Sequence, residues 1–206
     1  MTFAANFLEN CVSVIKKIDE QAIEKAANLL LKIRNNGGRL FIIGSGGGAG
    51  HASHATCDFR KMCNMEAYAP YDNVSELTAR VNDDGWDSTL VNWLRVSKFH
   101  NQDGLFVFSV GGGSAEKNVS MNLVNAIDFA KQNNAIVIGI VGKEGGYTAK
   151  MADAAIVIPN LFPKLVTPIT EGLQAVIWHL LVSHPNLQAN PAKWEGMGSD
   201  LSGVSP

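Results

Sequence analysis

The sequence predicts an α/β protein, a three-layer α/β/α sandwich around a mostly parallel sheet with extra helices at the N-terminus. Three observations carry that expectation. Residues 40–43 (LFII), 104–109 (GLFVFS) and 135–141 (AIVIGIV) are short apolar runs without polar alternation, the pattern of strands covered on both faces. Each run leads into a glycine-dense turn, Gly44-Ser45-Gly46-Gly47-Gly48, Val110-Gly111-Gly112-Gly113-Ser114 and Gly142-Lys143-Glu144-Gly145-Gly146. Helix-compatible sequence lies between the runs, and strand, helix, strand in succession implies right-handed parallel crossovers.

Residues 4–36 read as two helices. Phe7, Leu8, Cys11, Val14 and Ile15 recur at helical spacing in the first. Asp19 is the expected cap of the second, whose apolar face is Ile23, Ala26, Ala27, Leu30 and Leu31. Asn35-Asn36-Gly37-Gly38 stops it, because Asn and Gly tolerate the left-handed backbone of a helix end. After the first strand and its turn, a helix is expected from near Ala49, carrying His51, His54 and Asp58. Residues 72–87 read as a capped helix and a polar turn, and 88–99 as another helix with Leu90, Trp93 and Leu94 inward. Residues 114–133 are expected to be one helix, capped by Ser114 and stopped by Asn133-Asn134. Residues 154–158 make a fourth, weaker strand, and 160–168 a loop with two prolines. A long apolar helix is expected at 169–183, ended by His184-Pro185, with His184 at the surface. The organisation read here is one domain over 1–185 and an irregular tail over 186–206, in which Trp194 is the residue suited to docking on the body.

Composition excludes several function classes. The chain has 206 residues, 46% hydrophobic and 17% charged, which suits a globular core and not disorder. A formal net charge of -2 offers no basic footprint, so no nucleic-acid partner is expected. No apolar run is read as reaching membrane-spanning length, and the N-terminus lacks the basic-then-apolar order of a secretory signal. Cys11, Cys57 and Cys63 are odd in number and lack C-x-x-C spacing, the usage of reduced thiols in a cytoplasmic protein.

The chemistry gathers at the strand ends. Glycine lets backbone N–H groups converge on an anion, and a following helix start adds partial positive charge. Ser45, Ser109 and Ser114 add hydroxyls. Neither of the first two turns matches a nucleotide P-loop, and no acidic residue follows at dinucleotide-fold spacing, so no nucleotide cofactor is expected. His54 and Asp58 are i, i+4 on one helix face, with His51 close by, an arrangement for metal binding or acid/base work. In the last helix Glu171, Gln174 and His179 interrupt an apolar sequence. Glu171 and His179 are about 12 Å apart along the axis, so they meet at one point only if both side chains reach inward.

Taken together, these stretches resemble the sugar isomerase (SIS) domain family, in its phosphoheptose isomerase branch. GSGGGAGHASHATCD looks like that branch's GNGGSAADAQHFAAE, and SELTARVNDDGWD is similar to S-x-L-T-A-x-x-N-D-x-G-F-D. SVGGGS at 109–114 sits where STSGNS is expected, and VIGIVGKEGGYTAKMADAAIVIP follows the branch's V-I-x-L-T-G-x-x-G-G-x-L-A-x-x-A-D-x-x-I-x-V-P. TEGLQAVIWH falls on x-Q-E-x-H-x-x-x-x-H.

The resemblance implies the SIS fold and a phosphorylated sugar as substrate, sedoheptulose 7-phosphate, isomerised through an enediol. It implies Asp58 as general base and His179 as general acid; since a metal-bound carboxylate is a poorer base, Glu171 is the alternative base if Asp58 binds a metal. The phosphate and sugar contacts fall on Ser45, Gly46, Gly47, Gly48, Asp83, Ser109, Gly111, Gly112, Gly113 and Ser114. His54, Asp58, Glu171 and His179 become a ligand set for zinc, and a homotetramer with shared sites is implied, in which His179 meets Asp58 across an interface. The chain departs from the branch in several places. Asp58 and Glu171 stand for Glu and Gln; Gly48, Val110, Gly111 and Gly113 replace Ser, Thr, Ser and Asn; Ile169 stands where Arg is usual. Arg60 and Lys61 are the candidates for the missing positive charge. Two other readings stay open: a non-catalytic SIS module that binds a phosphosugar or a partner protein, and an isomerase of another sugar phosphate.

Overall fold

The computed structural model of the chain describes residues 1–191, so Trp194 and most of the expected tail lie outside the described residues. Two N-terminal helices, α1 (Phe3–Ile15) and α2 (Glu20–Asn35), precede β1 (Leu40–Gly44). The expected cap of α2 is present, with Asp19 Oδ1 accepting from the Gln21 N–H at 2.9 Å. After β1 come α3 (Gly47–Cys63), β2 (Ala67–Tyr68), α4 (Val74–Asp84), α5 (Trp86–Val96) and β3 (Gly104–Ser109). The rest is α6 (Met121–Gln132), β4 (Ile136–Gly142), α7 (Gly146–Met151), β5 (Ala154–Ile158) and α8 (Val166–Ser183).

All strand pairs are parallel, in the order β2-β1-β3-β4-β5. Successive side chains of a strand point to opposite faces, and both faces are covered. Leu40, Ile42, Phe106, Phe108, Ile138 and Ile140 pack with α2, α3 and α8. Phe41, Ile43, Leu105, Val107 and Val137 pack with α5 and α6. This is why the strands read as unbroken apolar runs. Arg39 locks the entry of β1 to that of β3, donating from Nε and Nη2 to the two carboxylate oxygens of fully buried Asp103.

Several expectations are corrected. Residues 114–120 are not helical. Ser114 and Val119 bond to each other across a small antiparallel bridge, and α6 starts only at Met121, after Ser120 in the left-handed region. The Ser114 hydroxyl caps that local turn by accepting from the Lys117 N–H at 3.2 Å. The edge strand β2 and the six-residue α7 were not expected. The segment Pro163–Ser183 is long and apolar enough to cross a bilayer, contrary to the sequence reading. Its apolarity is that of a core helix, since Ile169, Leu173, Ile177, Trp178, Leu181 and Val182 are buried in the body. His184 is not a plain surface residue either: its side chain is 13% exposed, its Nε2 lies 3.2 Å from Glu24 and its Nδ1 accepts from the Asn186 N–H.

The strand order reverses between β1 and β3, and the carboxyl ends of these strands flank the crevice where open α/β sheets take ligands. The first two glycine turns lie there.

Candidate active site

The first turn runs from β1 into α3. Gly46 takes φ +58°, and Gly48 is pressed so close that an added Cβ would lie 2.5 Å from the Phe108 carbonyl oxygen. A serine at 48 therefore does not fit this backbone, which accounts physically for one of the lost hydroxyls. Tyr71 braces the turn from below: its hydroxyl donates to the Gly44 carbonyl and accepts from the Gly44 N–H. Burial pushes the Tyr71 phenol up to about 12. Glu171 stands directly over this turn, its carboxylate within 2.5–2.7 Å of where a Gly47 Cβ would lie. Asn122, at the start of α6, donates to Ser45 Oγ at 3.3 Å. Asn122 is fully buried and its Oδ1 has no partner among the described residues. An unmet buried acceptor costs about 1–3 kcal/mol, so this atom is poised for a donor. Asn122 escaped the sequence reading, although an Asn beside Leu123 on the buried face of a helix was a signal.

The second turn is held differently. Ser109 Oγ accepts from the Gly112 N–H at 3.0 Å. Gly112 and Gly113 take φ +72° and +79°, and a Cβ on Gly112 would lie 1.9 Å from the Gly145 carbonyl oxygen. The N–H groups of Tyr147 and Thr148 donate to Gly113 and Gly112 carbonyls, so this turn interlocks with the one after β4. Among the described residues the N–H groups of Gly46 and Gly47 in the first turn, and of Gly111 and Gly113 in the second, find no acceptor.

The acid/base side chains converge elsewhere on the same helices. His54, Asp58 and His179 bring one ligand atom each within 4.8 Å of one another. Asp58 Oδ2 lies 3.5 Å from both His54 Nε2 and His179 Nε2 and accepts from Trp178 Nε1 at 3.0 Å. The two histidine side chains are more than half exposed (58% and 51%), whereas Asp58 is 16% exposed. His179 Nδ1 lies 2.7 Å from the Ala175 carbonyl, which can only accept, so Nδ1 carries a proton and Nε2 faces Asp58. A bare Nε2 lone pair facing a carboxylate is unfavourable, and a cation between them, proton or metal, resolves it. The donor set, two imidazole nitrogens and one carboxylate oxygen with room for a further ligand, fits a zinc-type ion. Behind it, Gln174 donates to the Ile140 carbonyl and accepts from His51 Nδ1, fixing that ring against Trp178.

His179 and Asp58 thus meet within one chain, where the resemblance implied a meeting across an interface. Glu171 is not in the cluster; it is two turns up α8, at the first glycine turn. Asp83 is exposed in the last turn of α4 and accepts from Asn82 Nδ2. Arg60 and Lys61 sit in the last turn of α3, away from the glycine turns, and Arg60 donates to the Ala67 carbonyl beneath the Tyr68 ring.

The SIS domain profile matches residues 3–142. The lincomycin biosynthesis protein LmbN of Streptomyces lincolnensis is 30% identical over 190 residues, 87% of this chain and 67% of LmbN. The phosphoheptose isomerase of Helicobacter hepaticus is 29% identical over 165 residues, 78% of this chain and 79% of its own length. The solved structure of phosphoheptose isomerase GmhA from Neisseria gonorrhoeae superposes with a TM-score of 0.73 at 27% identity, over 87% of this chain and 94% of that one. The chain belongs to the SIS domain family, in its phosphoheptose isomerase branch, and is an isomerase.

Proposed function

We propose that the protein interconverts a ketose phosphate and an aldose phosphate, with sedoheptulose 7-phosphate the first candidate substrate. The observation that carries this reading is the convergence of Asp58 and His179 on one point, open to solvent, with His54 beside them. Asp58 takes the proton from C1 of the open-chain ketose. His179, in its doubly protonated form with Nδ1 tied to Ala175, gives its Nε2 proton to the C2 oxygen. The resulting enediol collapses when the proton held by Asp58 returns at C2 and the C1 hydroxyl gives its proton back to His179. Trp178 holds the carboxylate in place, and its apolar ring, buried against Phe108, keeps water from one side of it.

In place of the Nε2 proton of His179, the alternative occupant of this point is a divalent metal such as zinc, which His54, Asp58 and His179 would hold, with Glu171 then the candidate base. When bound, it would supply Lewis-acid polarisation of the substrate carbonyl. Glu171 serves the reading as a sugar contact at the first turn, beside Ser45 and the unmet Oδ1 of Asn122, both suited to substrate hydroxyls.

Sites are shared between copies of the chain in this reading. Asp58 lies eleven residues into α3 from Gly47, about 16 Å along the axis. One sugar phosphate does not span acid, base and glycine turns of the same copy comfortably. The exposed imidazoles, flanked on α8 by exposed Val176 and Leu180, suit a second copy that brings its turns to them. A homotetramer is the assembly proposed.

The test is turnover of sedoheptulose 7-phosphate, with and without chelator. Asp58→Asn and His179→Ala are each expected to lower kcat by about 10²–10⁴-fold. Near-normal turnover in either variant removes the assigned roles. Tight binding of the sugar phosphate without turnover by the natural chain favours a non-catalytic binding module instead.

A further inference from the structure

Beyond α8 the chain is strapped across the ends of α2 and α3. Arg34 donates to the carbonyls of Cys63, Asn186 and Leu187, and the Leu187 side chain is fully buried. The N–H groups of Ala189 and Asn190 both donate to the Met62 carbonyl. Asn190 Nδ2 donates to the Lys61 carbonyl at 2.9 Å and to Asn64 Oδ1 at 2.8 Å. These bonds deliver the chain to the C-terminal end of α3, and residues 192–206, AKWEGMGSDLSGVSP, continue from there.

A groove begins at the same place. Two adjoining concavities of about 310 and 360 Å³ share Arg60 and Asp72. Cys57 and Lys61 line the near one, Tyr68 and Trp93 the far one, along the edge strand β2. The Arg60 guanidinium lies 5.6 Å from the centre of the Tyr68 ring. Among the described residues neither Arg60 nor Lys61 is in an ion pair, and Asp72 is met only by the Ser53 hydroxyl.

We propose that residues 192–206 of the same chain dock in this groove, with Trp194 against Arg60 and Tyr68 and Glu195 beside Lys61. Three arguments select this occupant. Trp194 is four residues beyond Asn190, a reach of about 13 Å, and Asn190 is already bonded to Lys61, the neighbour of Arg60. The charges match, since Lys193-Trp194-Glu195 brings a cation for Asp72, a ring for Arg60 and a carboxylate for Lys61. The short tether also gives this segment a high effective concentration at the groove. The proposal goes beyond the isomerase reading and does not depend on it. It gives Arg60 and Lys61, which stand away from the glycine turns, a partner. It also ties α3 to the loop that carries Tyr71, the brace of the first turn.

Cys57 reports the docking, because its thiol is exposed in residues 1–191 and lines the groove. The full chain is labelled with N-ethylmaleimide for increasing times, and the labelled cysteines are located by mass spectrometry. Cys11, half-buried on α1 and outside the groove, is the internal reference. Trp194→Ala is expected to speed labelling of Cys57 about tenfold, as local opening becomes the prevailing state. Glu195→Gln is expected to speed it about two- to fivefold, an effect that high salt removes. The rate in the natural chain is expected to stay constant on dilution, since the contact is intramolecular. Labelling of Cys57 as fast in the natural chain as in Trp194→Ala overturns the proposal. Protection that fades on dilution also overturns it, because a second copy then covers the groove. A parallel rise at Cys11 assigns the effect to loosened packing and overturns it as well.

Discussion

The two glycine turns flanking the crevice look interchangeable in the sequence, yet they are built and charged in opposite ways. The first is braced by a buried tyrosine and covered by the carboxylate of Glu171, with Ser45 and Asn122 beside it. The second is interlocked backbone-to-backbone with the turn after β4 and borders a groove lined by Lys117, Lys143 and Lys150 together with Glu116 and Glu144. Both offer unpaired N–H groups, so composition alone marks both as anion sites. A lone carboxylate stands over the first turn, whereas the groove beside the second mixes lysines with glutamates, so the two turns offer an anion different electrostatic surroundings. Glycine creates the opening; the neighbouring charge decides what enters it.

The largest expected effect probes how differently the turns are held. Gly112→Ala forces a Cβ to within 1.9 Å of the Gly145 carbonyl and onto a φ of +72°. Backbone cannot step aside as a side chain can, so a loss of about 3 kcal/mol or more is expected in urea unfolding. Gly46→Ala keeps a comparable φ of +58° but meets nothing within 4 Å. Only the backbone strain of φ +58°, ψ −124° remains there, a region glycine adopts and other residues avoid, at about 1–3 kcal/mol. Equal losses in the two variants would mean that the interlock of the second turn adds nothing.

Much of this architecture is legible in the sequence. The strands were readable because both faces are covered, which leaves no polar alternation, and the His54–Asp58 pair because i, i+4 spacing fixes a shared face. What stayed hidden is tertiary. The contact of His179 with Asp58 depends on how α8 lies on α3, which no local pattern encodes, and the two-residue β2 is too short to carry a period. Ser114 reads like a helix cap because serine caps helices and small turns by the same hydrogen bond. The lysine groove was invisible because Lys117, Lys143 and Lys150 look like ordinary solvated charges until the turns are interlocked. The sequence places Glu171 where the family has glutamine, but only its position over Gly47 shows that it sets the charge of a turn.

The next effect in size reverses the electrostatic half of the comparison. Glu171→Gln removes the carboxylate from the first turn while keeping a side chain of the same shape. Combined with Lys117→Gln, Lys143→Gln and Lys150→Gln, which remove the cations beside the second turn, it lets the first turn be read alone. Phosphate affinity of that combined variant is expected to rise about tenfold over the parent with Glu171 intact, as expected when one nearby like charge is lost. A ³¹P NMR titration with inorganic phosphate reads it out. No gain would mean that Glu171 does not guard the first turn.

The smallest effect separates the two tyrosines that accompany the turns. Tyr71, beneath the first turn, is raised to about 12 by burial, and Tyr147, beside the second, to about 12 chiefly by its hydrogen bond to Asp128. Both shifts favour the neutral phenol in the folded state. Each therefore contributes stability that is complete below pH 10, the unfolded value, and is lost as pH rises through about 12. Solvent discounts them unequally: Tyr71 is enclosed, whereas the Tyr147 bond lies near the surface and is screened. Cys63, raised to about 11 from 9 by burial, adds its own decline over a lower interval and stays as background in every variant. Urea midpoints between pH 9 and 12 are expected to fall less steeply in Tyr71→Phe than in the natural chain, at a neutral-pH cost of about 1 kcal/mol for the lost hydrogen bonds to Gly44. Tyr147→Phe is expected to leave the alkaline slope nearly as it was. If Tyr147→Phe flattens the slope as much as Tyr71→Phe, the Tyr147–Asp128 bond is as enclosed as the Tyr71 bonds to Gly44.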